Sequence, residues 1–202
     1  MDMPRDMQAE AMAAASDEAV LARYAAGDPV AARVLTARLV PRVLGYAARM
    51  LGDAAEAEDV AQEAMLRLWR AAPGWRAGEA QVSTWVYRVV TNICTDRLRA
   101  RKRRPAGALD EAPEVADGAK GVEAGLMEAD RMGALQAALD ALPERQRQAV
   151  VLRHIEGLGN PEIAAVMDIG VEAVESLTAR AKRALTAILS GRREELGYDD
   201  GE

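Results

Sequence analysis

A chain of 202 residues with 26 Lys+Arg against 32 Asp+Glu carries a formal net charge of −6 and has room for one or two domains with ordinary cores. At 50% hydrophobic and 29% charged it is neither disordered nor collagen-like, and its wealth of Ala, Leu and Arg beside only 3% aromatic residues predicts an all-α fold. One Cys and one His exclude a disulfide framework and a Cys-rich zinc site, no apolar run approaches the roughly 20 residues that span a bilayer, and the polar, acidic start from Met1 to Glu10 is unlike a signal peptide, so a cytoplasmic protein without membrane insertion is expected.

Helix punctuation orders the chain. After a tail of residues 1–15, Ser16 caps a short helix that stops near Gly27. Asp28-Pro29 sets a cap before a Pro at the first helical position, and the next helical region runs to Leu51 with a break expected at Pro41. Gly52 ends it, Asp53 caps a helix from Ala54 to about Ala71, and Pro73-Gly74 stops that one. Ser83 is expected to cap a long helix from Thr84 to Arg104, halted by Pro105, which completes a domain over residues 16–104. Residues 105–127, with Pro105, Pro113 and glycines at 107, 118, 121 and 125, read as a flexible acidic linker. A second domain over residues 128–190 holds helices at about 127–141, 143–156, 161–168 and 172–189, followed by an acidic tail over 191–202. No stretch alternates with period two for long enough to be a strand.

The charges are sorted into blocks, which matters more for partner choice than their sum. Residues 53–63 contain Asp53, Glu56, Glu58, Asp59 and Glu63 with no basic residue among them. Arg97-Leu-Arg-Ala-Arg-Lys-Arg-Arg104 follows with six cations in eight positions, and then residues 105–130 carry seven acids against Lys120 alone.

Two segments carry the functional signal. In the last helical pair, Asn160 caps and Pro161 starts a two-turn helix with Ile163, Ala164 and Met167 inward, and Ile169-Gly170 makes the bend. Val174, Leu177, Ala181, Leu185 and Ile188 then line one side of the longer helix. This is the layout of a helix-turn-helix, whose second helix enters the major groove, or of an ordinary helical hairpin that touches no DNA. The second segment, Trp85 to Arg104, joins an apolar face (Trp85, Val86, Val89, Val90, Ile93, Leu98) to Arg88, Asn92 and the basic run. Cations at such a helix end neutralise phosphates, and aromatic residues such as Tyr87 stack unpaired bases; a core role for Trp69 and Trp85 and a solvated terminus are the plainer readings. Cys94 falls on the apolar side as a packing thiol, and His154 stabilises a helix terminus.

In order, these segments resemble the bacterial extracytoplasmic-function sigma factors, the two-domain class of RNA polymerase specificity subunits. The resemblance covers roughly residues 17–104 (region 2) and 128–190 (region 4). It rests on Ala57-Glu58-Asp59-Val60-Ala61-Gln62-Glu63 with Leu66-Arg67-Leu68-Trp69, on Ser83-Thr84-Trp85-Val86-Tyr87-Arg88-Val89 with Asn92 and Asp96-Arg97, on Leu142-Pro143-Glu144-Arg145-Gln146-Arg147, on Glu162-Ile163-Ala164, and on Val174-Glu175-Ser176 through Arg180-Ala181. It implies that Asp59, Gln62, Glu63 and Leu66 dock on the clamp helices of the largest subunit of core RNA polymerase, an acidic and apolar face meeting a basic one. It further implies that the loop from Trp75 to Val82 and the helix after it read the melted minus-ten element, with Arg88 and Asn92 near the strand and Arg97, Arg99, Arg101 and Lys102 on phosphates. The helix-turn-helix would read the minus-thirty-five element in duplex DNA through Glu172, Ser176, Arg180, Lys182 and Arg183. The family's commonest pattern has a basic residue at Glu175 and an Arg at Leu177, and often Phe near Trp75 and Val82. Elements about one and a half helical turns apart are separated by roughly 55 Å, and a linker of about 20 residues reaches roughly 65–70 Å.

The implied function is promoter-specific transcription initiation, under an anti-sigma factor in a stress or envelope response. No activated nucleophile or metal cluster is visible, so neither enzyme activity, cofactor nor metal is expected. The rivals are a helix-turn-helix regulator that never joins polymerase and a helical adaptor that sequesters an anti-sigma protein.

Overall fold

The structure, a computed structural model, describes residues 12, 14–76, 78, 81–103 and 122–191, with the side chains of 122–128 left aside. Among the described residues every regular element is helical. They are α1 (Asp17–Ala25), α2 (Pro29–Leu51), α3 (Ala54–Ala71) with a 3-10 turn at Ala72–Gly74, α4 (Val82–Arg103), α5 (Val122–Asp140), α6 (Glu144–His154), α7 (Asn160–Met167) and α8 (Val171–Ser190). The expected linker and both tails lie largely outside the described residues, and α5 begins at Val122, five residues before the expected helix.

Most ends follow local chemistry. Ser16 Oγ accepts from Ala19 N–H, and Asp28 and Asp53 accept from Val30 and Glu56, so each side chain satisfies one of the orphan donors of a first turn. Gly52 closes α2 in the left-handed conformation, φ 66°.

Four local expectations are corrected. Pro41 does not break α2, which runs unbroken for 23 residues. Pro41 and Ala37, whose carbonyl it leaves without a donor, both face solvent, while Leu39 and Val43 are buried beside them, so water satisfies the freed group and the core holds the helix straight through. Ser83 is not the cap of α4; the helix starts at Val82, whose N–H donates to Glu18 Oε1 of α1 at 2.9 Å. Burial opposes the charge on Glu18, yet this bond, its own backbone amide and the Ser16 hydroxyl hold its carboxyl below the ordinary value. Gly159, not Asn160, is the N-cap of α7, where Glu162 reaches back to the Gly159 N–H at 2.7 Å. Between α7 and α8 the left-handed residue is Asp168 (φ 54°, ψ 54°), whereas Gly170 has φ −71° and serves as the N-cap of α8.

The core runs without a break from the α1–α4 bundle into α6–α8, through residues such as Val20, Leu35, Met50, Leu68, Val86, Leu152, Ile163 and Val174. At its centre Thr91 Oγ1 of α4 donates to Tyr46 Oη of α2 at 3.0 Å, and Tyr46 meets Tyr87 edge-on, centroids 5.8 Å apart. Trp69 packs on Tyr24 and Trp85 on Trp75, so both are half-buried core-edge residues. Cys94 is fully buried, and burial pushes its thiol up to about 12, Arg97 pulling against this and Glu56 adding to it. Ile188, expected inward, is 39% exposed near the end of α8.

Because the turn at 168 requires a conformation that a β-branched side chain resists, Asp168→Val is expected to lower stability by about 1–2 kcal/mol while Asp168→Gly leaves it near the parent value. Urea-unfolding midpoints of the two variants decide this: equal losses would remove the left-handed assignment.

Candidate protein and nucleic-acid interfaces

On α3, Asp59, Gln62, Glu63 and Leu66 follow the i, i+3, i+4, i+7 rows of one helix face, and the structure brings all four together at the surface. Leu66 is 50% exposed, an unusual degree for a large apolar side chain with its neighbours Met65 and Leu68 buried. Glu63 holds Arg67 one turn on. The same face borders a shallow groove of about 370 Å³ floored by Val40 and Leu44 of α2 and by Ala61, Met65 and Trp69 of α3, with Glu58 and Gln62 at its polar edge. The share of α2 in this groove was not readable from α3 alone.

The basic run of α4 divides into two sides. Arg97 reaches back to the first turn of α3, 3.8 Å from both Glu56 and Asp59, and donates to the Glu56 carbonyl at 3.3 Å. Arg101, one turn on, lies 3.0 Å from Glu56 and 3.9 Å from Asp53 and donates to the Leu51 carbonyl at 2.8 Å. These two guanidiniums cross-brace α2, α3 and α4 at the acidic N-terminus of α3. Arg88, Asn92 and Arg99 stand on another face, exposed, and line a cleft of about 280 Å³ whose far wall is Glu144, Arg145 and Gln148 of α6 and Val166, Met167 and Asp168 at the end of α7. Lys102 is 73% exposed at its side chain and lies 3.7 Å from Glu144. The minus-ten set expected from sequence is therefore split: Arg88, Asn92, Arg99 and Lys102 face outward or into the cleft, and Arg97 and Arg101 are occupied within the domain.

Of the expected loop, Trp75 meets Trp85 edge-on at 5.7 Å (81°), and its indole nitrogen is buried with no hydrogen-bond partner among the described residues. Tyr87 is 2% exposed and turned inward, away from any unpaired base; burial and its hydrogen bond to the Glu156 carboxylate raise the phenol, so it remains a donor.

On α8, Glu172, Ser176, Arg180 and Arg183 make one exposed stripe at i, i+4, i+8 and i+11. Lys182 does not join it. It lines an apolar groove of about 490 Å³ with Val150 and His154 of α6 and Leu185 and Leu189 of α8, opposite the turn of the hairpin. Glu175 is tethered, its carboxylate accepting from Asn160 Nδ2 at 3.4 Å. Among the described residues no group of three or more His, Cys, Asp or Glu is placed to hold a metal ion, and no helix is long and apolar enough to cross a membrane.

An all-helical chain with a helix-turn-helix at one end and a cationic long helix beside an acidic one at the other defines a two-part DNA-binding protein. Sequence comparison sharpens the class. Residues 35–104 match Sigma-70 region 2 and residues 132–185 match Sigma-70, region 4. The chain is 33% identical to the RNA polymerase sigma-H factor of Pseudomonas aeruginosa over 86% of its own length and 93% of that protein's. It is 37% identical to the ECF RNA polymerase sigma factor SigM of Mycobacterium tuberculosis, over 86% and 85% respectively. Among solved structures, CnrH in complex with the cytosolic domain of CnrY superposes with a TM-score of 0.66 at 26% identity, covering 87% of this chain and 97% of that one. The sigma factor RpoE bound to the anti-sigma factor NepR from Bartonella quintana superposes with a TM-score of 0.62 over 77% of this chain and 94% of that one; at 19% identity it shares the fold. The chain belongs to the sigma-70 family and is a sigma factor of the extracytoplasmic-function type. Members of this family are transcription initiation factors, not enzymes.

If Arg97 and Arg101 brace the domain, Arg97→Ala and Arg101→Ala are each expected to lower stability by about 1 kcal/mol, the scale of partly buried hydrogen-bonded ion pairs, while Arg99→Ala leaves it within about 0.5 kcal/mol. Urea titrations followed by circular dichroism test the contrast; equal effects at all three positions would dissolve the division.

Proposed function

We propose that this sigma factor docks on the clamp helices of core polymerase through Asp59, Gln62, Glu63 and Leu66, and that region 2 reads and melts the minus-ten element while region 4 reads the minus-thirty-five element. The observation that carries this reading is the pairing, within one small domain, of an exposed acidic and apolar face on α3 with an outward cationic side on α4. A regulator that acts without polymerase needs neither. Arg88, Asn92, Arg99 and Lys102 serve the melted strand, and Arg97 and Arg101 hold the helix that carries them. Glu172, Ser176, Arg180 and Arg183 form the duplex-reading stripe, the two Arg suited to phosphate or guanine and Glu172 to the cytosine amino group. Lys182 lies off that stripe and would reach only flanking phosphate. The relatives' solved complexes support regulation by an anti-sigma protein, and the reading places the chain in the cytoplasm with polymerase, in a stress or envelope response.

Reconstitution with core polymerase on the organism's own genomic DNA tests the whole reading: discrete promoter-dependent transcripts are expected, and their absence with a folded protein would sink it. Gln62→Lys with Glu63→Lys should weaken binding to core polymerase at least tenfold without loss of helicity, measured by a fluorescence titration. Replacing Arg99, Lys102 and Arg103 together by Ala should flatten the slope of log affinity against log salt by about 2 on a melted promoter, at roughly 0.7 per lost single-strand phosphate contact. An unchanged slope would leave these cations merely solvated.

A further inference from the structure

The start of α4 is held from outside its own sequence. The match to Sigma-70 region 2 begins at residue 35, inside α2, so α1 lies N-terminal to it. Yet α1 supplies the acceptor for the first amide of α4: Val82 N–H donates to Glu18 Oε1 at 2.9 Å across 64 residues. Val82 is fully buried, so without that carboxylate its amide is left an orphan donor. The negative charge also faces the positive end of the α4 dipole.

α1 is itself a fixed bracket. Arg38 of α2 donates to the carbonyls of Met12 and Ala15, both at 2.9 Å, and to Asp17 Oδ1 at 2.7 Å, which fixes the chain just before Glu18. Beyond it Val20 and Leu21 are fully buried, and Tyr24 packs against Trp69 with ring centroids 4.5 Å apart. Glu18 therefore reaches α4 from a base anchored on both sides. One turn into α4, Trp85 meets Trp75 edge-on, so the amide on Glu18 and the indole pair hold the same end of the helix. At 1.5 Å per residue, Arg88 and Asn92 lie only about 9 and about 15 Å beyond Val82. A frayed first turn would have to be ordered each time a strand is captured, and that ordering subtracts from binding. A capped turn is already in place when a base leaves its stack.

We propose that α1 belongs to the strand-reading machinery: Glu18, through the Val82 amide, is a positioning residue that keeps the entry of α4 preorganised for the melted minus-ten strand. The residue acts through the helix and not on DNA itself. Its effect falls on opening and strand capture, and it spares duplex recognition by α8 and docking by α3. This role rests on the reading of α4 as the strand-binding helix.

Three substitutions separate the bond from the charge. Glu18→Gln keeps an acceptor oxygen at the same reach and loses the charge, Glu18→Asp keeps the charge but falls a methylene short, and Glu18→Ala loses both. Asp28→Ala, which removes a comparable cap from α2, controls for a general loss of stability. In the free full-length chain, amide hydrogen exchange over residues 82–86 should be about tenfold faster in E18A and E18D and close to the parent's in E18Q. With core polymerase, on a genomic promoter that the parent opens, E18A and E18D should open about fivefold more slowly, the scale of one lost hydrogen bond. Their affinity for a fork template with a single-stranded minus-ten segment should fall by the same factor. E18Q and D28A should stay within about twofold of the parent in both assays, as should all four on a duplex carrying the minus-thirty-five element alone.

Unchanged exchange in E18A would overturn the cap. Opening by E18A as fast as the parent's, or equal slowing by D28A, would overturn the positioning role while the sigma-factor reading stands. Slowing by E18Q but not by E18D would assign the effect to charge and overturn it too. A parent that opens no promoter would overturn the sigma-factor reading itself, and this role with it.

Discussion

The position of α4 is fixed at both ends by groups far away in sequence, and the arrangement of the other helices depends on it. At its start, Glu18 of α1 accepts from the Val82 N–H and so supplies the cap that the local sequence does not. At its end, Arg97 and Arg101 span the gap to the first turn of α3, and Arg101 also reaches the last carbonyl of α2, that of Leu51. The same acids, Asp53 and Glu56, that suit the positive end of the α3 dipole also receive these guanidiniums, so one cluster stabilises a helix terminus and a three-helix joint together. Between the ends, Thr91 and Tyr46 satisfy each other inside the core.

This anchoring explains how so small a domain presents two faces of opposite sign. Cations that braced nothing would repel one another along α4. Two of them instead neutralise α3, which leaves Gln62, Glu63 and Leu66 farther along α3 to define an outward face of their own. The net charge of −6 averages over surfaces that have separate tasks.

Much of the helical plan was legible because its punctuation is local. Ser16, Asp28-Pro29, Gly52 and Asp53 act on backbone groups within four residues, so their meaning survives without tertiary knowledge. What was not legible depended on partners elsewhere. Pro41 looks like a breaker until its solvent-facing side is known, Ser83 looks like a cap until Glu18 arrives, and Gly170 looks like the bend although Asp168 adopts it. The spacing of Arg97 and Arg101, one turn apart, already placed them on one side of α4; only the acids of α3 turned that side inward. The four residues expected on the α3 face do share it, and four of the five on α8 share a stripe, since helical period alone decides both. The groove beneath Leu66 and the seam against α4 come from helices that meet only in the fold.

The three Trp residues give the molecule built-in optical reporters, and their placement is uneven. Trp69 lines the groove beside Leu66, while Trp75 and Trp85 form an edge-to-face pair where the chain enters α4. The helix-turn-helix domain has none. Intrinsic emission therefore reports on one half of the molecule: an occupant of the α3 groove perturbs one indole, a rearrangement at the entry to α4 perturbs the other two, and events confined to α8 leave the spectrum silent.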